Sequence, residues 1–533
     1  MILETKDFGI RSQNFAHRAC SGRKTDAGLL PIRIEMQTLK ETIRSWAQET
    51  ARHRKSKQDG TGQGFGETMN EIAAQALDCF LQLPDPMFDP DARSGMFGEK
   101  VSLWKELGSP DFTQRDFPLT QAPFPESFRC DIKGLDVYQI LLYNGRVCGP
   151  EGKNLLDPAS EAVLSEHPCV CRLDELAATG THKEKLQPFL DEARQALCRK
   201  ETTTHVKDTA DFAQGGRDTA MEQSKWLNRC LSAETLVIYM PKGARLDKPL
   251  QIVSLCHGEK PSFVASQIWV LMEEGASLSL VECTDSHPKA EVMAHSLTEI
   301  RLEKEASLEY IQLQNVGDSC KVFHDLSVQQ ARSSRLASYN LTLNGGLTRN
   351  NLEVNLNQED ARAELLGLYL QDHEQMAKTQ VKVNHKAPKT YSRELFKGVI
   401  DDSASAYFKG HVFVSPVADQ TEAYQSNRNL LISPKAQAHA KPYLEIYADD
   451  VQCNHGVTVG QLDEDALFYM RCRGIPADTA RRLLMRAYAD EILKPISVDS
   501  LREWMTFLVK KRFSGQLQAC EQCVLACPEK KTF

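Results

Sequence analysis

After residue 233, apolar and polar residues alternate along the chain with a period of two, and valine, isoleucine, leucine and tyrosine dominate the apolar positions. Stretches such as "SLSLVEC" and "AELLGLYL" are typical of β-strands, whose successive side chains point to opposite faces. The helical period is found instead in residues 36–56, 67–83 and 183–200. The pattern therefore predicts a mostly helical amino-terminal region followed by a long β-region.

A short phrase recurs through the β-region at nearly constant distance. Each copy has a small residue in a turn, followed by an alternating strand; the copies are "KGARL" at 242, "EGASL" at 274, "KEASL" at 304, "EDARAEL" at 359, "DDSASAY" at 401 and "PKAQAHA" at 434, with a weaker copy, "RSSRLASY", at 332. The alanines at 244, 276 and 306 are 32 and 30 residues apart. A strand-and-turn repeat of this length without a helix is typical of a β-solenoid. A β-sandwich, the competing all-β fold, does not require one corner phrase at constant spacing.

The repeat period stops at Cys453, and three helices are predicted after it. "DEDALFYMRCRG" carries acids at its start and Gly474 just past its end, and Pro476 suits the first position of the next helix. The third helix, "SVDSLREWMTFLVKKRF", has an apolar stripe. Because the last coil of a solenoid exposes strand edges, we expect these helices to cover that end, to present a face to a partner, or to do both.

These patterns divide the 533 residues into five regions. Residues 1–35 have no apolar core of a secretion signal, and we interpret them as a disordered extension or a misplaced start. A mostly helical domain (36–230), a β-solenoid core (231–460), a helical domain (461–513) and a cysteine-rich tail (514–533) follow. The predicted fold class is therefore mainly β, with helical regions on both sides of the solenoid.

Composition and charge exclude several classes of function. The net charge of −8 and the lack of a large basic block argue against nucleic acid as the main partner. No uninterrupted apolar window is long enough for a membrane span. Sixteen cysteines without a secretion signal indicate a reducing cytoplasm and mostly free thiols. No P-loop motif occurs, so any ATP hydrolysis must come from another subunit.

The stretch "VQCNHGVTVG" (451–460) contains the main candidate residues, Cys453 and His455. Residues two apart on a strand point to the same face, so both side chains can approach one metal ion. A thiolate is a soft ligand for iron, and imidazole is a borderline one. Two ligands do not hold a cluster, so the others must come from another chain. The spacing alone favours the simpler interpretation, the end of a strand without a site.

Two other cysteine groups are weaker candidates. The tail "CEQCVLACPEK" resembles the C-x₂-C-x₂-C-x₃-C-P run of bacterial ferredoxins with one cysteine missing and one spacing changed, and its thiols are Cys520, Cys523 and Cys527. They are either an accessory metal site or incidental residues of the tail. "HPCVC" (167–171) offers His167, Cys169 and Cys171 without a fourth ligand, so a loop is the favoured interpretation.

Several long stretches resemble the core shared by the SufB and SufD scaffold proteins of the Suf iron–sulfur cluster assembly system. They are "HKAPKTYSRELFKGVIDDSASAYFKGHVFV" (385–414), "AYQSNRNLLISPKAQAHAKPYLEIYADDVQCNHGVTVG" (423–460), "LFYMRCRGI" (467–475) and "LNRCLSAETLVIYMPKGARLDKPLQI" (227–252). The likeness covers roughly residues 227–495. It is weak in the amino-terminal half and does not extend to residues 1–35 or 514–533. The Cys-x-His-Gly phrase resembles the SufD branch.

This resemblance implies a right-handed parallel β-helix and a non-catalytic scaffold subunit in a complex with a SufB-like subunit and a SufC-like ATPase. It implies no intrinsic cofactor, but a transient iron or iron–sulfur cluster shared with SufB. His455 matches the family histidine that lies near the SufB–SufD interface and is implicated in cluster formation, and Cys453 matches the neighbouring cysteine.

On the helix predicted over 476–494, Leu484, Tyr488 and Ile492 form an apolar stripe with a spacing of four. We expect this stripe to contribute to docking of the ATPase; covering the solenoid is the alternative.

Two other functions remain open at this point. One is a SufB-like scaffold that pairs with itself, and a homodimer of the isolated chain is compatible with either scaffold. The other is a polysaccharide-active β-solenoid enzyme, which requires a groove of carboxylates and aromatic rings. Only 7% of the residues are aromatic, which argues against that enzyme.

Overall fold

The computed structural model describes residues 30–56, 65–81, 136–149, 153–179, 183–198, 219–257, 260–287 and 290–515. The helices of its amino-terminal part are α1 (Leu30–Ser56), α2 (Phe65–Leu81), α3 (Leu173–Thr179), α4 (Lys183–Cys198) and α5 (Thr219–Leu231). Helix α1 begins at Leu30, before the start at Met36 that the sequence predicts. Short strands accompany these helices: β1 (Tyr138–Tyr143), β2 (Arg146–Cys148), β3 (Lys153–Asn154), β4 (Asp157–Glu161) and β5 (Cys169–Arg172).

The strands from Thr235 to Gly460 alternate between two sheets, so that each coil of the chain adds one strand to each sheet. Sheet A contains β6 (Thr235–Met240), β8 (Ser262–Met272), β10 (Val292–Leu302), β12 (Lys321–Gln330), β14 (Leu347–Leu356), β16 (Met376–His385), β18 (Ser405–Val414) and β20 (Gln437–Ile446). Sheet B contains β7 (Leu250–Cys256), β9 (Ser277–Ser286), β11 (Ser307–Asn315), β13 (Arg335–Asn344), β15 (Arg362–Gln371), β17 (Tyr391–Ile400), β19 (Thr421–Leu431) and β21 (Val451–Gly460). Neighbouring strands within β6–β21 are parallel and pair one coil apart, as Ser277 pairs with Ser307. The predicted β-solenoid is therefore confirmed.

The recurring phrase forms the corners of the coils. Ala276, Ala306 and Ala361 are fully buried at corners that lead from sheet A to sheet B, while Ala404 and Ala436 occupy corners that lead from sheet B back to sheet A. The phrase thus marks both corners, which explains why its spacing widens between residues 361 and 404. The residue before each of the first three alanines has a positive φ, which turns the chain sharply; these residues are Gly275, Glu305 and Asp360.

The solenoid interior is apolar next to the corners that carry the small residues, and it is lined further along each strand by hydroxyl, amide and carboxyl groups. On the outer face of sheet A, helices α4 and α5 pack against the first coils. The Phe189 and Trp269 rings stack with centroids 5.0 Å apart, and Arg229 donates to Glu299 over 2.6 Å between buried side chains. The amino-terminal helices therefore cover sheet A at its start.

The helices after the solenoid are α6 (Glu464–Cys472), α7 (Ala477–Leu493) and α8 (Asp499–Phe513). They fold back over the outer face of sheet B, where Trp504 and Leu508 join a buried cluster with Leu341, Leu366 and Leu368. The expectation that these helices cover the last coil is wrong. The outer face of sheet B carries large apolar side chains, and burial of each contributes about 1.5–3 kcal/mol, so this face is covered instead.

Candidate functional site

The last strand of each sheet, β20 and β21, forms what we call the open end of the solenoid. Among the described residues, each of these strands pairs on one side only, β20 with β18 and β21 with β19. Several large apolar side chains here are exposed, among them Ile446 (38%), Tyr447 (42%), Val457 (38%) and Val459 (46%). Unpaired strand edges with apolar side chains are surfaces on which another chain docks. The open end therefore has the properties of an interface.

Cys453 and His455 both lie on β21, where they pair in register with Ala423 and Gln425 of β19. The row of Cys453 continues through Ala423 and Ser392 to Ala363, which belongs to the apolar interior. Both side chains therefore lie on the inward face of the last coil. Cys453 is half-buried against the interior, whereas His455 is exposed at the open end.

The two side chains differ in their readiness to bind a metal ion. Burial raises the pKa of the Cys453 thiol, and the backbone N–H of Ala423 opposes this only in part, so the thiol is protonated at neutral pH. No side chain or backbone group of the described residues hydrogen-bonds to the His455 imidazole, which leaves its nitrogens available to a ligand. No cluster of three or more His, Cys, Asp or Glu in the described ranges is suited to a metal ion, so this end presents an incomplete ligand set.

A buried polar pair lies beneath His455 in the same row of sheet B, where β17, β19 and β21 place Glu394, Gln425 and His455 in register. Gln425 donates from Nε2 to Glu394 Oε2 over 2.8 Å, and the two residues are only 2% and 1% exposed. Burial raises the pKa of the Glu394 carboxyl group to about 8. No local sequence pattern marks this pair, although its members follow the spacing of the coils.

A buried serine, histidine and aspartate meet where α5 contacts sheet A, but their geometry is not that of a catalytic triad. His295 Nε2 lies 3.3 Å from Ser224 Oγ and 2.8 Å from Asp325 Oδ2, so one ring nitrogen faces both partners. A nucleophile activated by histidine requires the two opposite nitrogens of the ring. All three residues are at most 2% exposed. The group therefore fastens α5 to the sheet. Its members come from distant segments, so no local sequence pattern predicts it.

The loop that the sequence favoured for "HPCVC" is found at His167 and Pro168, but the last three residues of the segment belong to a strand. Cys169 and Cys171 lie on β5, which pairs antiparallel with β6, and their sulfur atoms are 3.7 Å apart in a buried position. Strand pairing with β6 overrides the loop tendency of the proline because Pro168 precedes the strand rather than interrupting it.

The apolar stripe on α7 faces sheet B. Leu484 is half-buried, Tyr488 lies under Lys397 with the ammonium 4.0 Å from the ring centre, and Ile492 is fully buried. Ile492 therefore packs within the chain, while a contribution of this helix to partner docking stays a prediction. The accessory candidates Cys520, Cys523 and Cys527 lie outside the described residues.

No helix within the described residues is both long and apolar enough to cross a membrane.

Comparison with known proteins gives a consistent result. Residues 255–488 match the family model described as "SUF system FeS cluster assembly, SufBD core domain". The chain is 31% identical over 308 residues to an iron–sulfur cluster assembly SufBD family protein of Synechocystis, covering 56% of this chain and 65% of that protein. It is 30% identical to the chloroplastic protein ABCI7 of Arabidopsis thaliana, covering 52% and 60%, and 27% identical to the iron–sulfur cluster assembly protein SufD of Escherichia coli, covering 54% and 69%.

The chain thus spans slightly less than two thirds of the length of the first two of these relatives. The matched segment contains most of the solenoid, the open end and helix α6. Together with the parallel solenoid between helical regions, these similarities show that the chain belongs to the SufB/SufD family.

Proposed function

We propose that this protein is a non-catalytic scaffold subunit that assembles iron–sulfur clusters at its open end together with a second, SufB-like chain. The observation that carries this proposal is His455, an exposed imidazole without a partner in the described chain, at the open end of the solenoid, where no described strand pairs with the outer edges of β20 and β21. The donors here are too few for a cluster, so a second chain at the same edge supplies the others. Transient iron or a nascent cluster is the cargo shared by the two chains.

The exposed apolar side chains support the same arrangement. Val457 and Val459 follow His455 along the inward face of β21, so a chain that docks there buries them and excludes water from the imidazole. The electrostatic attraction between a metal ion and its ligand is stronger when water is excluded, because the local dielectric constant is lower. The same proposal includes that the protein acts in the cytoplasm and that it does not itself catalyse a reaction.

A SufC-like ATPase is the proposed partner of the carboxy-terminal helices. Helix α6 has no buried residue, and it exposes Phe468 (67%) and Tyr469 (60%), while Leu483 of α7 is 43% exposed. These side chains, with the half-buried Leu484 beside them, suit a docking surface better than Ile492. The stripe predicted from the sequence therefore contributes to docking of the ATPase through its less buried member, Leu484.

The test of the proposed function is a His455→Ala variant expressed together with its partner chains. We expect the complex to assemble and its iron and sulfide content to fall severalfold, because the imidazole is a ligand and not a packing residue. His439→Ala is the matched control, since His439 is also exposed at the open end but lies on the outer face of β20, stacked on Tyr407 at 4.8 Å. Normal iron and sulfide content in His455→Ala would overturn the role of His455.

Pairing of the chain with itself is the second candidate, because the same unpaired edges fit a second copy. The oligomeric state of the isolated chain, measured by light scattering with and without the SufB-like partner, distinguishes a homodimer from a mixed complex.

A further inference from the structure

Helix α6 is a short helix that the described chain leaves uncovered. It has nine residues, and none of them is buried. Its main contact among the described residues is with α7, which follows it after the turn at Gly474. Helices of this length are not stable in water through their own hydrogen bonds, because most of the stability of a helix in a protein comes from packing of one face. We therefore expect another chain to cover α6.

The chain around α6 is rich in arginine. Between residues 466 and 486 there are five arginines and one acid, Asp478, although the net charge of the whole chain is −8. No lysine lies between Lys441 and Lys494. Four of the arginines are exposed and the last is half-buried; in chain order they are Arg471, Arg473, Arg481, Arg482 and Arg486. A local positive charge therefore stands out against an acidic protein.

This positive charge is not neutralised within the described part of the chain. No described carboxylate forms an ion pair with any of the five arginines. The Arg473 guanidinium lies 5.2 Å from the centre of the Tyr469 ring and donates from Nη2 to the Tyr469 hydroxyl over 3.0 Å. Arg482 donates from Nη2 to Thr479 Oγ1 over 3.3 Å. These contacts orient two guanidinium groups and leave their charges directed to solvent.

Large apolar side chains lie among the arginines. Phe468 and Tyr469 come shortly before Arg471 on α6, and Leu483 follows Arg482 on α7; all three are exposed. Arginine and tyrosine are enriched among the residues that contribute most to protein–protein binding. A guanidinium group also binds a carboxylate through two parallel hydrogen bonds, which a lysine cannot form. The five arginines with Phe468, Tyr469 and Leu483 are called the arginine face below.

We propose that the arginine face docks an acidic surface of the SufC-like ATPase, whose aspartate and glutamate side chains pair with the arginines around an apolar centre. The identity of this partner rests on the proposed function, whereas its acidic chemistry follows from the arginine face itself. Nucleic acid fits this surface less well, because it carries phosphates along its whole length. The acids Asp463, Glu464 and Asp465 at the start of α6 would repel such phosphates.

The charged and the apolar parts of the arginine face respond differently to salt. Attraction between exposed charges is screened when NaCl rises from about 50 to about 300 mM, because the Debye length shortens. Burial of Phe468 against a partner does not depend on this screening. Salt dependence therefore separates the contribution of the arginines from that of the ring.

The test is an isothermal titration of the full chain with the SufC-like ATPase at low and at high salt. Arg471→Gln and Arg482→Gln each remove one charge, and we expect each to weaken the affinity about tenfold at low salt and to reduce its salt dependence. Arg335→Gln is the matched control, because Arg335 is an exposed arginine at the start of β13, on the solenoid. We expect the control to bind the ATPase like the unmodified chain.

Phe468→Ala is a further variant that changes no charge. The ring is exposed, so its loss should leave the fold intact, and circular dichroism checks this in all variants. We expect Phe468→Ala to weaken binding of the ATPase by a similar factor at low and at high salt. Unchanged affinity and unchanged salt dependence in both Arg471→Gln and Arg482→Gln would overturn the arginine face. Retention of the unmodified chain by DNA or by vesicles of anionic lipid, lost in these two variants, would overturn the acidic protein surface as its ligand.

The failure of this inference and the failure of the proposed function give different results. If the unmodified chain binds the ATPase and both arginine variants bind it equally well, the proposed partner stands and the arginine face is rejected. If both arginine variants lose the ATPase while His455→Ala assembles clusters normally, the arginine face stands and the proposed role of His455 is rejected. If the unmodified chain does not bind the ATPase, both the partner and the inference are rejected.

Discussion

The two ends of the solenoid are built from the same repeat and end in opposite ways. At the amino-terminal end, sheet A ends with β5 and sheet B with β1 and β2, and the terminal strands β5 and β2 are antiparallel to their neighbours. The four residues of β5 are all buried. At the other end, β20 and β21 are parallel to their neighbours, no strand of the described residues pairs with their outer edges, and most residues of β21 are exposed. The two ends therefore differ in how far their terminal strands are buried, and the exposed strand β21 is consistent with the proposed contact with another chain.

The largest expected difference between the two ends is in stability. Leu142 of β1 is 1% exposed and belongs to the main interior cluster. We expect Leu142→Ala to lower the free energy of unfolding by about 2–5 kcal/mol, because the cavity it leaves is enclosed. Ile446→Ala, at the open end, should change it by about 0.5 kcal/mol or less, since Ile446 is 38% exposed. Urea denaturation measures both, and a similar loss in the two variants would contradict the difference between the ends.

The second prediction concerns the pH dependence of stability and the buried acid Glu394, which lies two coils in from the open end. Burial raises the pKa of Glu394 from its ordinary 4.5 to about 8 in the folded chain. The folded chain therefore holds this proton more tightly than the unfolded chain, so the contribution of Glu394 to stability falls as pH rises from about 4.5 toward 8 and is constant above that range.

Glu394→Gln has no charge to bury and should be more stable than the unmodified chain at pH 9, by a few kcal/mol. The advantage should vanish at pH 4. Urea denaturation of both proteins at the two pH values, in the presence of a chelator, measures this difference. An advantage independent of pH would mean that the carboxyl group is not buried in the folded protein.

The smallest effect on stability is expected for substitutions on β21 at the open end, where the effect on binding of the SufB-like chain should be clear. Val459→Lys places a charge on an exposed position of the unpaired strand β21. Charges on strand edges oppose edge pairing, so binding of the SufB-like chain should weaken while the melting temperature changes by only a few degrees. Thr458→Lys, whose side chain faces outward on the same strand, is the control. Equal binding by both variants would show that the inward face of β21 is not the contact.

The solenoid could be predicted from the sequence because one turn geometry is repeated, and the small residue at each corner is required by the close stacking of the coils. The sequence also holds information on which outer faces are covered. In β15, Leu365, Leu366 and Leu368 form a nearly continuous apolar run, as strands do when both faces are buried, whereas "QAHAKPYLEI" of β20 alternates. The predicted position of the last helices rested on the exposed strand edges and not on this difference, and it was therefore the wrong surface.

The candidate site was predictable in part. Cys453 and His455 stand out because of their residue types, and the period of two correctly places both on one face. Glu394 and Gln425 are ordinary residues for a strand, and only the in-register stacking of three coils brings them under His455. The contact of His295 with Ser224 depends on how α5 docks on sheet A, which no local pattern encodes.

The stacking of coils makes the folded chain behave like a short linear polymer. Within β6–β21 each coil contacts mainly the coil before it and the coil after it, so stability is approximately a sum of nearest-neighbour terms. The last coil has a neighbour on one side only, and it lacks half of the cooperative stabilisation that an internal coil receives. A partner that pairs with β20 and β21 therefore acts as one further coil of the solenoid. Association of the partner and folding of the final coil are then coupled in a single equilibrium.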